Sequence, residues 1–380
     1  MPAISDAAWS KEGTTPDAIE AALRELLARR AKDSPHAEHR GLVPARVLNM
    51  IVFVESRFGE ETAERLRGVG RYHASRTVIL SYEPDRERLD ARVTVSSEGD
   101  PGRGELALLR ETVLVEIGKH HLDDLTTIAD PLVVSDLPTL LWSPHGHPQA
   151  ADALLGLAQT ALIDSTDAPD RLRIGWREAI ERACALSEQV YVVDLAWLRS
   201  TPWRERVAAT FDPPRMRPEL DTLSAVTISH HRDSTIAAML LVGWLASRLG
   251  WELDRSALGR AATDGELRGR ATAGGRDIDL CLQATPELQA PGLEGLELRS
   301  ESGLRVRLDR GPGGLRAHRR WPTTGFAGGG AVRRHGAERA WTLLGASRGE
   351  GGILGEGIRQ SLLRDPTYTP ALHAAHAMLP

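Results

Sequence analysis

Short runs of β-favouring residues alternate with amphipathic segments between residues 131 and 251, and this alternation is the strongest constraint on the fold. Strands are predicted at 132–134, 139–142, 161–163, 190–193 and 225–229. Helices are predicted at 150–157, 174–186, 195–211 and 235–249. Parallel strands need crossover connections, which are usually helices, so this order is typical of a mostly parallel sheet covered on both faces.

The first 130 residues follow a different pattern, in which β-rich runs predominate. The run at 47–54 is continuous and β-rich, and it predicts a strand that is buried on both faces. Further strands are predicted at 77–82, 92–95 and 112–117. We expect a mixed sheet with few helices that leads into the parallel sheet, so that residues 1–130 and 131–251 form one domain.

After residue 251 apolar and polar residues alternate with a period of two. Residues 296–298 and 304–308 alternate in this way and flank a predicted hairpin loop at 300–303. The pattern is typical of an antiparallel meander with one face in solvent, followed by closing helices. A chain of 380 residues is too long for one core, so we predict a second domain at 252–380. The predicted fold class is α/β in the first domain and α+β in the second.

Charge and hydropathy exclude several classes of protein. The net charge of −5 argues against nucleic-acid binding, although Arg is concentrated between residues 299 and 348. The longest apolar run, 236–246, is too short to span a bilayer, and residues 1–13 do not form a secretory signal. We therefore expect a cytoplasmic protein that binds no membrane. Its two cysteines, Cys184 and Cys281, are not expected to form a disulfide. Cys281 alternates with apolar residues along its predicted strand, so its side chain lies on the face opposite the apolar one.

Motifs for catalysis, cofactors and metals are incomplete in this sequence. A G-x-S-x-G motif at 345–349 matches the nucleophile turn of hydrolases, which requires an acid and then a histidine downstream. The remaining candidates, Asp365, His373 and His376, lie on the predicted closing helices. The sequence contains no G-x-G-x-x-G or Walker motif, and its paired histidines lack further metal ligands at suitable spacing. We predict no catalytic residue, no cofactor and no metal.

Polar residues follow several predicted strands and form one candidate site. They are His145, Asp164, Asp194 and His230. Ligands of open α/β sheets bind at the carboxyl ends of the strands, so these side chains could line a ligand crevice. Strand ends also need polar residues to cap the next helix. Both interpretations stay open on the sequence alone.

Two segments are rich in the residue types that anchor protein interfaces. The candidate partner-binding residues are Arg71, Tyr72, His73, Arg76, Trp197, Arg199, Trp203 and Arg204. Pro202 is expected to break the helix between the two tryptophans, which predicts that at least one of them is exposed. A competing surface is the predicted meander face with Arg299, Arg305 and Arg307, which would attract an acidic partner.

Five stretches in a fixed order carry a family resemblance between residues 46 and 251. They read RVLNMIVFVE, GVGRYHASRTVIL, DLPTLLWSPHGHP, VYVVDLAWLRSTPWRERVAATFDPP and VTISH. In these stretches the chain resembles the actinobacterial OpcA family, the glucose-6-phosphate dehydrogenase assembly proteins. Beyond residue 251 the match is looser, and the Gly-rich region 325–357 departs from the family pattern.

The resemblance implies a protein without catalytic residues of its own. Its expected partner is glucose-6-phosphate dehydrogenase, whose oligomer assembly or activation it would promote in the oxidative pentose phosphate pathway. The alternative is a sensor or enzyme for a small ligand such as a sugar phosphate, which would use the crevice at the strand ends.

Overall fold

The chain folds into two compact units, each assembled from separate segments of sequence. The computed structural model describes residues 7–32, 46–69, 75–98, 108–166, 175–253, 258–260, 265–285, 291–311, 314–321, 339–344 and 349–379. The first unit comprises Met1–Asp164, Glu188–Leu195 and Gly349–Arg364, and the second comprises Ser165–Ser187, Ala196–Arg348 and Asp365–Pro380. The domains predicted at 1–251 and 252–380 were each continuous in sequence.

The described helices are short to medium in length. Their bounds are α1 (Pro16–Lys32), α2 (Gly59–Val69), α3 (Leu125–Ala129), α4 (Pro148–Leu154), α5 (Trp176–Ser187), α6 (Leu195–Arg199), α7 (Thr201–Phe211), α8 (Arg217–Leu220), α9 (Thr235–Leu249), α10 (Gly349–Leu363) and α11 (Tyr368–Ala377). Among the described residues, no helix combines the length and apolar character that crossing a membrane requires.

The described strands belong to two sheets. Their bounds are β1 (Ala7–Lys11), β2 (Leu48–Glu55), β3 (Ser75–Tyr82), β4 (Asp90–Glu98), β5 (Leu108–Ile117), β6 (Thr139–Trp142), β7 (Thr160–Ile163), β8 (Tyr191–Asp194), β9 (Leu223–His231), β10 (Glu252–Leu253), β11 (Gly259–Arg260), β12 (Glu266–Ala273), β13 (Arg276–Thr285), β14 (Leu293–Ser300), β15 (Arg305–Gly311), β16 (Gly314–Arg320) and β17 (Arg339–Leu344).

The sheet of the first unit has the strand order β1-β4-β5-β3-β2-β6-β7-β8. From β5 to β8 every neighbouring pair is parallel, whereas β4 and β1 form an antiparallel edge. Strand β2 lies at the centre and has seven consecutive buried residues, as its continuous β-rich run predicts. The prediction of a mixed sheet leading into a mostly parallel one is therefore confirmed.

The sheet of the second unit follows the order β10-β12-β13-β9-β14-β15-β16-β17, and β11 pairs with β12. Most pairs are antiparallel, and β13 pairs with β9 in parallel. The predicted hairpin at 300–303 is confirmed, since β14 and β15 pair on either side of it.

Helix α9 packs against β9 and α11. Gly243 permits a close approach there, because a Cβ added to it would lie 2.2 Å from the carbonyl oxygen of Ala371.

Strand β9 corrects one prediction. The run at 225–229 was expected in the parallel sheet, but it pairs with β13 and β14 in the second sheet. Its side chains alternate, with Val226 and Ile228 buried and Thr227 partly exposed. Such alternation suits a sheet with one exposed face, whereas the central strands of the parallel sheet are buried on both.

Two further predicted elements differ from the structure. Residues 132–134 were expected as a strand, but the chain forms a 3-10 turn at Asp130–Leu132. The helix predicted at 195–211 is interrupted at Ser200, and Pro202 lies in the first turn of α7. The predicted break at Pro202 is therefore confirmed, because a ring that lacks an N–H is tolerated only where a helix begins.

Candidate functional site

Three of the predicted crevice residues come from neighbouring parallel strands of the first sheet. His145 follows β6, Asp164 follows β7, and Asp194 is the last residue of β8. Because carboxyl ends of parallel strands meet at one edge, the three residues share that edge of the sheet. Their exposed fractions are 7%, 8% and 1%, so protein atoms surround each of them.

The fourth predicted crevice residue, His230, belongs to β9 in the sheet of the second unit. Its side chain is buried, and burial lowers its pKa, which keeps the imidazole ring neutral at physiological pH. Its Nδ1 lies 2.7 Å from the carbonyl oxygen of His231, which accepts a hydrogen bond from it. His230 thus has a local hydrogen-bonding role in its own unit.

The first sheet changes direction between β2 and β6. The chain runs from β2 to β3 and β5 on one side and then continues with β6, β7 and β8 on the other. In doubly wound sheets with this order, ligands bind at the carboxyl ends of the two strands that flank the change of direction. A ligand crevice in this sheet would therefore lie at the ends of β2 and β6.

The turn between β2 and α2 does not fit a dinucleotide phosphate. Residues 55–58 are Glu-Ser-Arg-Phe, in place of the glycine-rich turn that brings backbone close to a pyrophosphate. Gly59 has an ordinary helical φ of −59°, and a Cβ added to it would meet no atom within 4 Å. Glu60 and Glu61 occupy the first turn of α2, where the positive end of the helix would otherwise attract an anion. These two carboxylates disfavour a phosphate group at the start of α2.

Two stacked rings occupy the same end of the crevice. The centroids of Phe58 and His145 are 3.9 Å apart. The Nε2 of His145 lies 3.7 Å from Oε2 of Glu61, on the first turn of α2. These contacts join the turn after β2 to the turn after β6.

A second group of rings lies at the ends of β2 and β3. The ring centroid of His147 is 4.8 Å from that of Phe53 and 5.4 Å from that of Tyr82. Burial lowers the pKa of His147, against the opposing influence of the Glu55 carboxylate. The neutral ring accepts a hydrogen bond at Nδ1 from the backbone N–H of Ala150 and so caps α4. His147 therefore serves the fold at this edge.

The described residues contain no group of three or more histidines, cysteines or carboxylates that could hold a metal ion. Most of the G-x-S-x-G motif, residues 345–348, lies outside the described residues.

Arg76, a candidate partner-binding residue, takes part in a buried ion pair. Its Nε lies 2.7 Å from Oε2 of Glu111, and Arg46 lies 2.5 Å from Oε1 of the same carboxylate. Glu111 has no exposed surface, so the two guanidinium groups compensate its buried charge. Arg76 is thereby held inside the first unit. The candidates Arg71, Tyr72 and His73 lie outside the described residues.

The prediction that Trp197 or Trp203 is exposed is wrong. The exposed fractions of the two side chains are 2% and 4%, and Arg204 is also buried, at 8%. Arg199, at the end of α6, is partly exposed. The break at Pro202 does divide the helix into two, but residues on both sides of the break are still buried in the core. A break in a helix does not by itself bring an apolar side chain to the surface.

Arg204 packs flat on Trp197. Its Cζ lies 3.5 Å from the ring centroid, while Nε donates to Oγ of Ser200 and Nη2 to the carbonyl oxygen of Trp197. The indole Nε1 of Trp197 donates to Oδ2 of Asp365 over 2.8 Å, and Nη1 of Arg204 lies 3.8 Å from the same oxygen. Burial lowers the pKa of Arg204 to about 10, so it stays positively charged at neutral pH.

Asp365 is the residue of this cluster that the sequence analysis considered only as a catalytic acid and did not link to Trp197 or Arg204. Oδ1 of Asp365 accepts hydrogen bonds from the backbone N–H and the hydroxyl of Thr367. Burial raises the pKa of Asp365, but the bonds from Thr367 and Trp197 and the charge of Arg204 outweigh it, and its pKa lies below the usual value. Asp365 is 168 residues from Trp197, so no local pattern could link the two.

Two family models match this chain. One matches residues 67–175 and is described as the N-terminal domain of a glucose-6-phosphate dehydrogenase subunit, and the other matches residues 190–372 and is described as the C-terminal domain. Both carry the name OpcA, and together they cover well over half of the chain. The chain belongs to the OpcA family. The resemblance that the sequence motifs indicated is confirmed.

Curated relatives in the OpcA family are distant and longer. A protein of Synechococcus elongatus is 26% identical over 147 residues, which are 37% of this chain and 32% of that protein. One of Synechocystis is 27% identical over 135 residues, which are 34% of this chain and 27% of that protein. Both are named OpcA, with a provisional assignment to the OxPP cycle. The chain spans about a third or less of the length of these relatives.

Solved structures give only weak likenesses. The 3-ketoreductase KijD10 of Actinomadura kijaniata is 12% identical, with a TM-score of 0.46 over 87% of this chain and 95% of that one. Gal80p of Saccharomyces cerevisiae is 9% identical, with a TM-score of 0.44 over 85% of this chain and 87% of that one. These values support no conclusion about a cofactor or an activity.

Proposed function

We propose that this chain binds glucose-6-phosphate dehydrogenase as a non-catalytic partner and promotes its oligomer assembly or activation in the oxidative pentose phosphate pathway. The descriptions of the two matching family models, which name a subunit of that enzyme, support the partner. The proposed place of action is the cytoplasm, where a free thiol such as that of Cys281 stays reduced. The negative net charge supports a protein partner over a nucleic acid.

The observation that carries the non-catalytic role concerns the position between the ends of β2 and β6. Phe58 and His145 stack across it, and Glu60 and Glu61 place negative charge at the start of α2. An oxidoreductase with this strand order would hold the cofactor phosphate at that helix start. Acidic side chains and stacked rings in that place favour a protein that keeps the fold without the cofactor chemistry.

A second candidate function uses the edge at His145, Asp164 and Asp194, which come from three adjacent strands. Carboxylates can accept hydrogen bonds from sugar hydroxyls, so a sugar-phosphate sensor or enzyme is the alternative. Two carboxylates beside one another would, however, repel the phosphate of such a ligand.

A thermal shift experiment separates the two functions. The isolated chain is heated with glucose 6-phosphate, 6-phosphogluconate or NADP, and the melting temperatures are compared with that of the free protein. A ligand at one hundred times its Kd would add about 2.7 kcal/mol of stability, which is readily detected. The partner proposal predicts no shift with any of the three, and retention of the chain on immobilised dehydrogenase. A shift that is abolished by Asp194→Asn would favour the sensor instead.

A further inference from the structure

One face of the second sheet is lined with arginine where β14, β15 and β16 lie side by side. The opposite face is apolar, with Leu298 and Val306 each 1% exposed and Leu308 fully buried. The alternate residues point away from that core. Arg299, Arg305 and Arg307 have side chains that are 51%, 53% and 61% exposed. Arg316 and Arg320 on β16 are also exposed.

Three of these arginines form one row across the strands. Arg299 pairs directly with Arg305 in the strand register, and Arg305 pairs directly with Arg320. Like charges at directly opposite positions destabilise a sheet, because their side chains are about 5 Å apart at the Cβ atoms. A row of three arginines is therefore unfavourable for the isolated fold.

Local carboxylates compensate this row only in part. Oε1 of Glu297 lies 2.6 Å from Nε of Arg299 and 3.5 Å from Nε of Arg305, so two guanidinium groups share one carboxylate. Within the described part of the chain, Arg320 has no ion pair. Asp309 is 2.8 Å from Arg307 and stands opposite Arg316 in the register. Arg299, Arg305 and Arg307 are thus held by Glu297 and Asp309, and Glu294 of β14 adds a further attraction on Arg307.

We propose that this arginine face, defined as Arg299, Arg305, Arg307, Arg316 and Arg320, is the docking surface for an acidic strip on a partner protein. The inference rests on the proposed function and assigns the strip to glucose-6-phosphate dehydrogenase. Guanidinium groups bind carboxylates through two parallel N–H donors, and they retain free donors when a local carboxylate occupies only one side. Carboxylates from a partner would relieve the repulsion within the row.

The arrangement favours a protein over a nucleic acid. Glu297 and Asp309 lie among the arginines, where they would face the phosphates of a nucleic acid laid across the strands. The same two carboxylates orient Arg299, Arg305 and Arg307 before binding, which reduces the entropy lost when a partner docks. Arginine is also enriched at the centres of protein interfaces.

Charge reversal at the centre of the row tests the inference. Arg305→Glu places a carboxylate between Arg299 and Arg320, so the melting temperature should stay the same or rise. The affinity for purified glucose-6-phosphate dehydrogenase should fall at least tenfold, and its dependence on ionic strength should become weaker. Arg320→Glu should act in the same direction. Arg24→Glu, at a 70% exposed position on α1, is the matched control for the change of two charge units and should bind like the unaltered chain.

The outcomes of this experiment distinguish between an error in the docking surface, in the proposed function and in the class of partner. If the unaltered chain binds and both Arg305→Glu and Arg320→Glu bind equally well, the docking surface is wrong while the proposed function stands. If the unaltered chain does not bind the dehydrogenase, the proposed function fails and the inference fails with it. If the unaltered chain instead binds duplex DNA and Arg305→Glu abolishes this, the face recognises phosphate and the partner class is wrong.

Discussion

The guanidinium of Arg204 lies 3.5 Å from the ring centroid of Trp197, whose indole N–H donates to the carboxylate of Asp365. The ring of Tyr368 meets the same indole at 62°, with centroids 5.6 Å apart. This cluster ties the helices after β8 to the segment that leads into α11, all within the second unit. Residues that resemble interface anchors in the sequence are thus part of a core.

Loss of Arg204 should therefore destabilise the fold. We expect Arg204→Ala to lower the free energy of unfolding by about 3 kcal/mol, because it removes a buried cation from both an aromatic ring and a carboxylate. Urea unfolding followed by circular dichroism measures this. Arg217→Ala is the control, since Arg217 is 63% exposed and pairs with Asp212 at the surface. Its expected effect is below about 0.5 kcal/mol, and an equal loss in both variants would contradict the account.

Asp365 should make this stability depend on pH in the acid range. Its pKa in the folded protein is below the ordinary value of 3.8, so the folded state favours the ionised form. The resulting stability is present above the unfolded pKa and is lost as the pH falls through the folded pKa. Asp365→Asn should be less stable than the parent at pH 5 and should lose less stability between pH 4 and the acid limit. Parallel curves for the two proteins would show that Asp365 is not stabilised in this way.

Strands, hairpins and helix ends could be predicted from the sequence where they depend on residues that are neighbours in the chain. The β-rich run of β2, the hairpin between β14 and β15 and the break at Pro202 each depend on neighbouring residues, and all three predictions are confirmed. The sheet to which β9 belongs was predicted wrongly, because strand pairing over long sequence separations leaves no local signal. The alternation of apolar and polar residues in Val226, Thr227, Ile228 and Ser229 was the available clue.

The candidate site was predictable only in part. His145, Asp164 and Asp194 do share one edge of the first sheet, since carboxyl ends of adjacent parallel strands must meet. The burial of Trp197 and Trp203 was not predictable from residue type, because tryptophan is common both in cores and at interfaces. The row of Arg299, Arg305 and Arg320 could not be predicted without the strand register, because the register determines which side chains lie opposite one another.

Packing between α9 and α11 gives a second test of the fold. A Cβ at Gly243 would lie 2.2 Å from the oxygen of Ala371 and 2.9 Å from the nitrogen of Ala375, both backbone atoms that cannot move aside easily. We expect Gly243→Ala to cost about 1–3 kcal/mol of stability. Gly355→Ala in helix α10, where no atom lies within 4 Å of the new Cβ, should instead add about 0.5–1 kcal/mol. Thermal unfolding of both variants compares them, and a neutral Gly243→Ala would mean that the helices are farther apart.

Cys281 should react slowly with alkylating reagents. Burial and the carboxylate of Glu266, which accepts a hydrogen bond from the thiol, raise the pKa of Cys281 to about 11. Glu266→Gln should lower that pKa, and each unit of decrease raises the thiolate fraction near neutral pH roughly tenfold. Mass spectrometry of iodoacetamide labelling follows the rate at this thiol. Cys184, on helix α5, provides an internal control whose rate should not change. An unaltered rate at Cys281 would show that Glu266 does not hold its proton.

The central claim is that the chain acts by binding the dehydrogenase and has no turnover of its own. Sedimentation velocity of the purified chain, mass 41.4 kDa, mixed with its cognate glucose-6-phosphate dehydrogenase tests this claim most directly. The account predicts a new, faster boundary that contains both proteins, while the isolated chain with glucose 6-phosphate and NADP produces no NADPH. Two boundaries that sediment as in the separate samples, or NADPH formed by the isolated chain, would contradict it.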